Sequence, residues 1–207
     1  MKMVSAALAA TLLAASPAYA KQYPPRDDCV ADASFVAFRT ALADVVKRKD
    51  AKALLAVTTS DIEWSMGDPH GRAGFTKEWK LDKPATSEIW GQLGRMLAHG
   101  CSLKDGEASA PYWYENGPTG DLADIALISG ERVNIREAPA KTAKVVRTAD
   151  WEGVTIGDEA RDWTKVTFED GTTGYVSNDF LWTGYSYRAV FRKNDGTWRM
   201  TAFIAGD

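Results

Sequence analysis

The sequence predicts an α+β first domain over residues 21–127, an all-β module over 128–183, and a C-terminal β-hairpin within 184–207 that returns to the first domain. Three observations predict it. Apolar residues recur at helical spacing between Asp32 and His99. From Asp124 onward the pattern changes to short alternating segments separated by turn residues. The last two such segments make a hairpin, which is unstable alone in water and must be received by another sheet.

Lys2, the uncharged apolar run from Val4 to Ala15, Pro17 and then Ala18-Tyr19-Ala20 form the three parts of a secretory signal peptide, residues 1–20, cleaved after Ala20. The run is too short to cross a hydrocarbon core, which needs about 20 residues. No later segment is long and apolar enough, so a periplasmic or secreted protein without a transmembrane anchor is expected. Cys29 lies well past Ala20, which argues against a lipid anchor.

Residues 21 to 28 carry Pro24 and Pro25 and read as an extended lead-in. Phe35, Phe38, Leu42, Val45 and Val46 then define an amphipathic helix from Asp32 to Lys49, and Asp50 caps a second through Leu55. Asp61 to Met66 alternates polar with apolar, predicting a strand, and Gly67 to Gly71 follows as a turn-rich loop. Ala73, Phe75 and Trp79 support a short helix. Ser87 caps a further helix to His99, stopped by a left-handed Gly100. Residues 104 to 119 mix Gly, Pro and aromatics and read as a connecting loop.

Four motifs distinguish the all-β module. Gly130 to Pro139 carries Val133-Asn134-Ile135-Arg136 before a proline turn, and Lys144-Val145-Val146 supplies the next strand. Trp163-Thr164-Lys165-Val166 is a third, and Asp170-Gly171 with Gly174-Tyr175-Val176 is a hairpin that Asn178 to Leu181 follows. Together these resemble the bacterial SH3 family, small barrels that recur beside cell-wall enzymes and in exported proteins. The resemblance implies a closed five- or six-stranded SH3-like barrel. One departure is Asp150-Trp151-Glu152-Gly153, where family members often carry Leu and Gly. The helices followed by a returning hairpin at Asn194-Asp195-Gly196 also resemble, weakly, the plan of NTF2-like folds.

A net charge of −3 with scattered Lys and Arg gives no footprint for nucleic acid. Cys29 and Cys101, in a chain bound for an oxidising compartment, are expected to pair as a disulfide, with two buried free thiols as the alternative. No Gly-x-Ser-x-Gly elbow or phosphate-binding loop is present. Asp28-Cys29 echoes the start of a cell-wall cysteine peptidase motif but is followed by Val30-Ala31, not Ser-Gly. Glu63, Asp68 and His70, or His99 with Cys101, match no established metal spacing, so no metal or cofactor is expected. Binding through the module is the leading reading, because aromatic residues suit peptide grooves. Trp163, Tyr175, Asn178 and Trp182 are its candidate ligand-binding residues, with a cell-wall peptide or envelope protein segment as partner. Tyr185, Tyr187 and Trp198 are expected to pack the final hairpin onto the first domain. The alternative is a peptidoglycan hydrolase using Cys29 or a carboxylate near Glu63, such as Asp61 or Asp68. The oligomeric state is open.

Overall fold

A computed structural model describes residues 21–65 and 70–206. The signal peptide expected at residues 1–20, and Gly67, Asp68 and Pro69 of the turn-rich loop, lie outside the described residues. The remainder is α+β, with helices and two separate sheets.

Helix α1 spans Ala33–Arg48 because Asp32 caps it, accepting from the Ser34 and Phe35 amides at 2.8 and 3.0 Å. Lys193 Nζ lies 2.8 Å from the same carboxylate, and these contacts, Lys193 foremost, hold the Asp32 carboxyl well below the usual carboxylate range. Asp50 caps α2 (Ala51–Ala56) through the Ala53 amide at 2.9 Å. Strand β1 runs Thr58–Glu63, three residues earlier than the alternation at 61–66 indicates. Helices α3 (Arg72–Glu78) and α4 (Ile89–Ala98) follow. Ser87 is not the N-cap of α4: its hydroxyl lies 2.5 Å from the Trp79 carbonyl, to which it donates, and only 3.4 Å from the Ile89 amide. Gly100 has φ of 75°, and a Cβ there would sit 2.0 Å from the Arg26 carbonyl oxygen, so the lead-in itself requires glycine.

The expected loop at 104–119 is instead structured. It contributes to a hairpin of β2 (Ser102–Lys104) and β3 (Glu107–Ala110), then holds a cis Ala110–Pro111 bond and the short helix α5 (Trp113–Asn116). Small residues fill the buried positions of these strands, with Ala108 and Ala110 in the core that the helices share.

Beyond it come β4 (Ile125–Ile128), β5 (Val133–Arg136), β6 (Val145–Ala149), β7 (Gly153–Ala160), β8 (Trp163–Thr167), β9 (Thr173–Ser177) and β10 (Leu181–Thr183). The final pair is β11 (Arg188–Asn194) and β12 (Thr197–Ile204), joined across Asp195 and Gly196, both at positive φ as a tight hairpin turn requires. The first sheet has the order β1-β12-β11-β3-β2, with β1 parallel to β12 and the other pairs antiparallel. One core lies between it and the helices, built on Phe35, Leu42, Leu54, Ile89, Leu93, Phe191 and Phe203. Phe35 meets Trp198 and Phe191 edge-on at 4.9 and 5.4 Å. Tyr187 stacks on Phe203 at 5.1 Å.

The second sheet has the order β10-β4-β7-β8-β9-β5-β6. It curls around a core of its own, Ala126, Ile128, Val133, Ile135, Val154, Val166 and Val176. It is not the closed barrel that the motifs imply. The strand that would close the ring, β10, is three residues long and lines a cleft instead of meeting β6, whose Val145 and Val146 stay exposed. Gly174 approaches the neighbouring strand closely, since a Cβ there would lie 2.6 Å from the Ile135 side chain.

Candidate functional site

The lead-in joins the two sheets. Asp27 accepts both terminal nitrogens of Arg39 at 2.7 and 2.5 Å, which pins the lead-in to α1. Asp28 and Arg26 bond across to Cys101, beside a Cys29–Cys101 disulfide whose sulfur-bearing residues are fully buried. At the other end the Tyr23 amide donates to the Trp151 carbonyl at 2.7 Å, and the Tyr23 carbonyl accepts from Trp113 Nε1 at 2.7 Å. The same eight residues are thus fixed to the helices, to α5 and to the second sheet.

Trp113, 1% exposed, is the centre of the contact between the sheets. His99 lies over it at 4.7 Å, Trp151 at 5.5 Å and Trp182 at 6.1 Å. Trp151 reaches this cluster because its backbone is left-handed, at φ 53°. That turn also directs Glu152 inward, where Arg147 grips it at 2.6 and 2.8 Å and lies over the Phe168 ring at 3.8 Å. The segment that departs from the family pattern is therefore the one that docks the second sheet.

The four residues expected to bind ligand do not form one group. Trp163 and Tyr175 share the outer face of β8 and β9: Trp163 pairs with Ser177 and Lys165 with Tyr175, so the two rings are diagonal neighbours, both half-buried. Asn178 is held by the protein, accepting from Thr164 Oγ1 at 2.8 Å and donating to the Arg161 carbonyl at 3.1 Å. It braces the turn between β7 and β8. Trp182 sits in the aromatic contact, and its Nε1 is shielded without an acceptor among the described residues. Such a donor costs about 1–3 kcal/mol, so packing alone holds that ring in place.

Cys29 is bonded to Cys101, so it has no free thiol to act as a nucleophile. Asp27, Cys29 and Cys101 cluster closely, but both sulfurs are consumed by the same bond. Glu63 and His70 form a bridge beside Asp61, in an open depression that Arg192 and Lys193 also line. His99 and Cys101 are separated in role, one in the ring cluster and one in the disulfide.

Sequence reasoning missed a cleft of about 240 Å³ between α4 and the segment 179–187. Arg95 and His99 line one side; Asp179, Trp182 and Tyr185 line the other, with Pro111 between. No local pattern could reveal it, because its walls come from positions far apart in the chain. Burial pushes the His99 imidazole below its ordinary value, and the nearby Arg95 charge acts the same way, opposed by a hydrogen bond to the Arg95 backbone. Burial therefore favours neutral His99 in the folded protein, whereas the unfolded chain protonates near pH 6.5. The unfolded state binds more protons, so stability is full above that pH and falls as pH drops from 6.5 through the lower folded value. Thermal unfolding between pH 7.5 and 5 is expected to show this loss, and His99→Gln to flatten it.

Comparison with known proteins agrees with the module. Residues 131–181 match the bacterial SH3 domain family. The match covers the segment from the loop before β5 to the start of β10, about a quarter of the chain. Similar solved structures are NTF2-like: Rd1NTF2_05 in a variant with several substitutions, and an NTF2-like protein with a cystatin-like fold from Novosphingobium aromaticivorans. The first is 13% identical, covering 83% of this chain and 96% of that one at a TM-score of 0.31. The second is also 13% identical, covering 86% and 82% at 0.31. Among curated proteins none matches this chain. No helix of the described residues is long and apolar enough to cross a membrane.

Proposed function

We propose that this is an exported binding protein, with residues 1–20 as its signal peptide, whose bacterial SH3 domain recognises a cell-wall peptide. Bacterial SH3 domains are often cell-wall binding modules, which supports this ligand class. The observation that carries the reading is the aromatic pair Trp163 and Tyr175, half-buried on the outer face of β8 and β9 inside the matched segment. Rings in that state offer large contact area at little cost in side-chain entropy, and a peptide laid across them buries what remains exposed. Lys165 and Ser177, on the same face, supply polar groups beside the rings. The disulfide, buried and intact, suits a protein that works outside the cytoplasm. Residues 128–183 would be the recognition module, with 21–127 and 184–207 as its support.

Calorimetric titration with a soluble muropeptide mixture tests this. Saturable heat is expected, and Trp163→Ala or Tyr175→Ala should weaken binding by about tenfold, the equivalent of one lost aromatic contact of 1–1.5 kcal/mol. Unchanged affinity in both variants contradicts the assignment. Saturation by an extended protein segment but not by muropeptides would move the ligand to the envelope-protein class.

A further inference from the structure

We propose that the cleft between α4 and the 179–187 segment is a second binding site, for a free dipeptide with both termini charged, with Arg95 holding its carboxylate and Asp179 its amino group.

Three features of the cleft point to that chemistry. First, Arg95 and Asp179 both line it, both are exposed, and neither is in an ion pair among the described residues. Arg95 Nη2 is only 2.8 Å from the neutral Gln92 Oε1, a partner that leaves the other guanidinium donors unused. Second, the cleft's formal charges balance one to one. A phosphate or another anion of two charges would need a cation surplus, whereas a molecule with one carboxylate and one ammonium is matched on both ends. His99 preserves the balance, since burial favours its uncharged form. Third, the cleft offers apolar surface beside the two charges. Met96, Pro111, Leu181 and the Trp182 ring provide surface for small side chains, and Gln92, Ser129, Thr183 and Ser186 add neutral polar groups that leave the charge balance unchanged. The volume of about 240 Å³ equals roughly eight waters at about 30 Å³ each, room for a dipeptide and too little for a folded partner.

The site lies apart from the Trp163 and Tyr175 face, being formed on one side by a helix outside the SH3 domain. It therefore stands or falls separately from the reading above. Two sources present this chemistry, a D-configured dipeptide released from the cell wall and an L-configured dipeptide released from protein, and stereochemistry tells them apart.

Calorimetry with the purified protein and alanyl-alanine in its D,D and L,L forms is the test, alongside the same dipeptides as C-terminal amides. Free dipeptide should bind with saturation. Amidation and Arg95→Gln should each weaken it by about tenfold to a hundredfold, as loss of a charged hydrogen bond does. Asp179→Asn should weaken the free dipeptide but leave the N-acetylated form unaffected. Both positions are exposed, so the variants are expected to fold, with thermal unfolding as the check. Trp163→Ala should leave the dipeptide affinity unchanged, which separates this site from the outer face. Preference for the D,D form assigns the cell wall as source, and preference for L,L degraded protein. No saturation with either dipeptide, or equal binding of acid and amide, overturns the proposal.

Discussion

Replacing Trp113 with alanine is expected to cost roughly 3–5 kcal/mol, the range for truncating a buried aromatic in a site that cannot collapse. The ring is 1% exposed and contacts three further rings, one from each of three segments: His99, Trp151 and Trp182. Its Nε1 also satisfies the Tyr23 carbonyl, which loses its donor in the variant. In a protein of this size each kcal/mol lowers Tm by about 2–4 °C, so a fall on the order of 10 °C is expected. The loss should have a spatial signature. Because the ring joins the lead-in to both sheets, proteolysis should begin in residues 21–31 before either core opens. A Trp113→Ala protein that unfolds within a degree or two of the parent, with an equally protected lead-in, would remove the aromatic contact from the account.

The second large effect belongs to the disulfide. Cys29 and Cys101 are 72 positions apart, and closing a loop of that length restricts the unfolded chain by about 4 kcal/mol in the entropic model. Native geometry suits the bond, with a Cα–Cα separation of 5.7 Å and backbone hydrogen bonds on both sides, from Cys101 to Arg26 at 3.0 Å and from Asp28 to Cys101 at 2.9 Å. The double variant Cys29→Ser, Cys101→Ser should therefore lose about that amount in chemical denaturation, and reduction of the parent should do the same. A double variant as stable as the parent would show that the lead-in is held by Asp27, Arg39 and Tyr23 alone.

How much of this was legible depended on whether the signal was local. The caps of α1 and α2 are written in Asp32 and Asp50, whose side chains bond the amides two or three positions on. Asp195-Gly196 announces its own turn. The SH3 motifs likewise sit within a few residues of one another, and the family match falls on them. By contrast, β2 and β3 were hidden because their buried residues are Ser102, Ala108, Ser109 and Ala110. Those lack the branched and aromatic side chains by which strands are recognised. Their burial comes from packing with residues distant in the chain, which is tertiary information. The second sheet was expected to close, yet what governs closure is the length of β10 and what lies beside it, and no pattern within the strands encodes that.

The site was legible in type but not in grouping. Trp163 and Tyr175 fall together because their register pairs them diagonally, whereas Trp182 is drawn into the contact by Trp113, some 70 positions upstream. Asn178 looked available as a polar group, but both ends of its amide are taken by Thr164 and Arg161. The departure at Trp151 and Glu152 was visible as an anomaly, and its meaning required the partner surface: Trp151 faces Trp113 of α5, and Glu152 turns to Arg147.

The proposed role rests on association with the cell wall without cleavage of it. Incubating the purified protein with intact sacculi and then separating pellet from supernatant measures both at once. The account expects the protein in the pellet and no soluble muropeptides in the supernatant; released muropeptides, or protein that stays entirely in the supernatant, would contradict it.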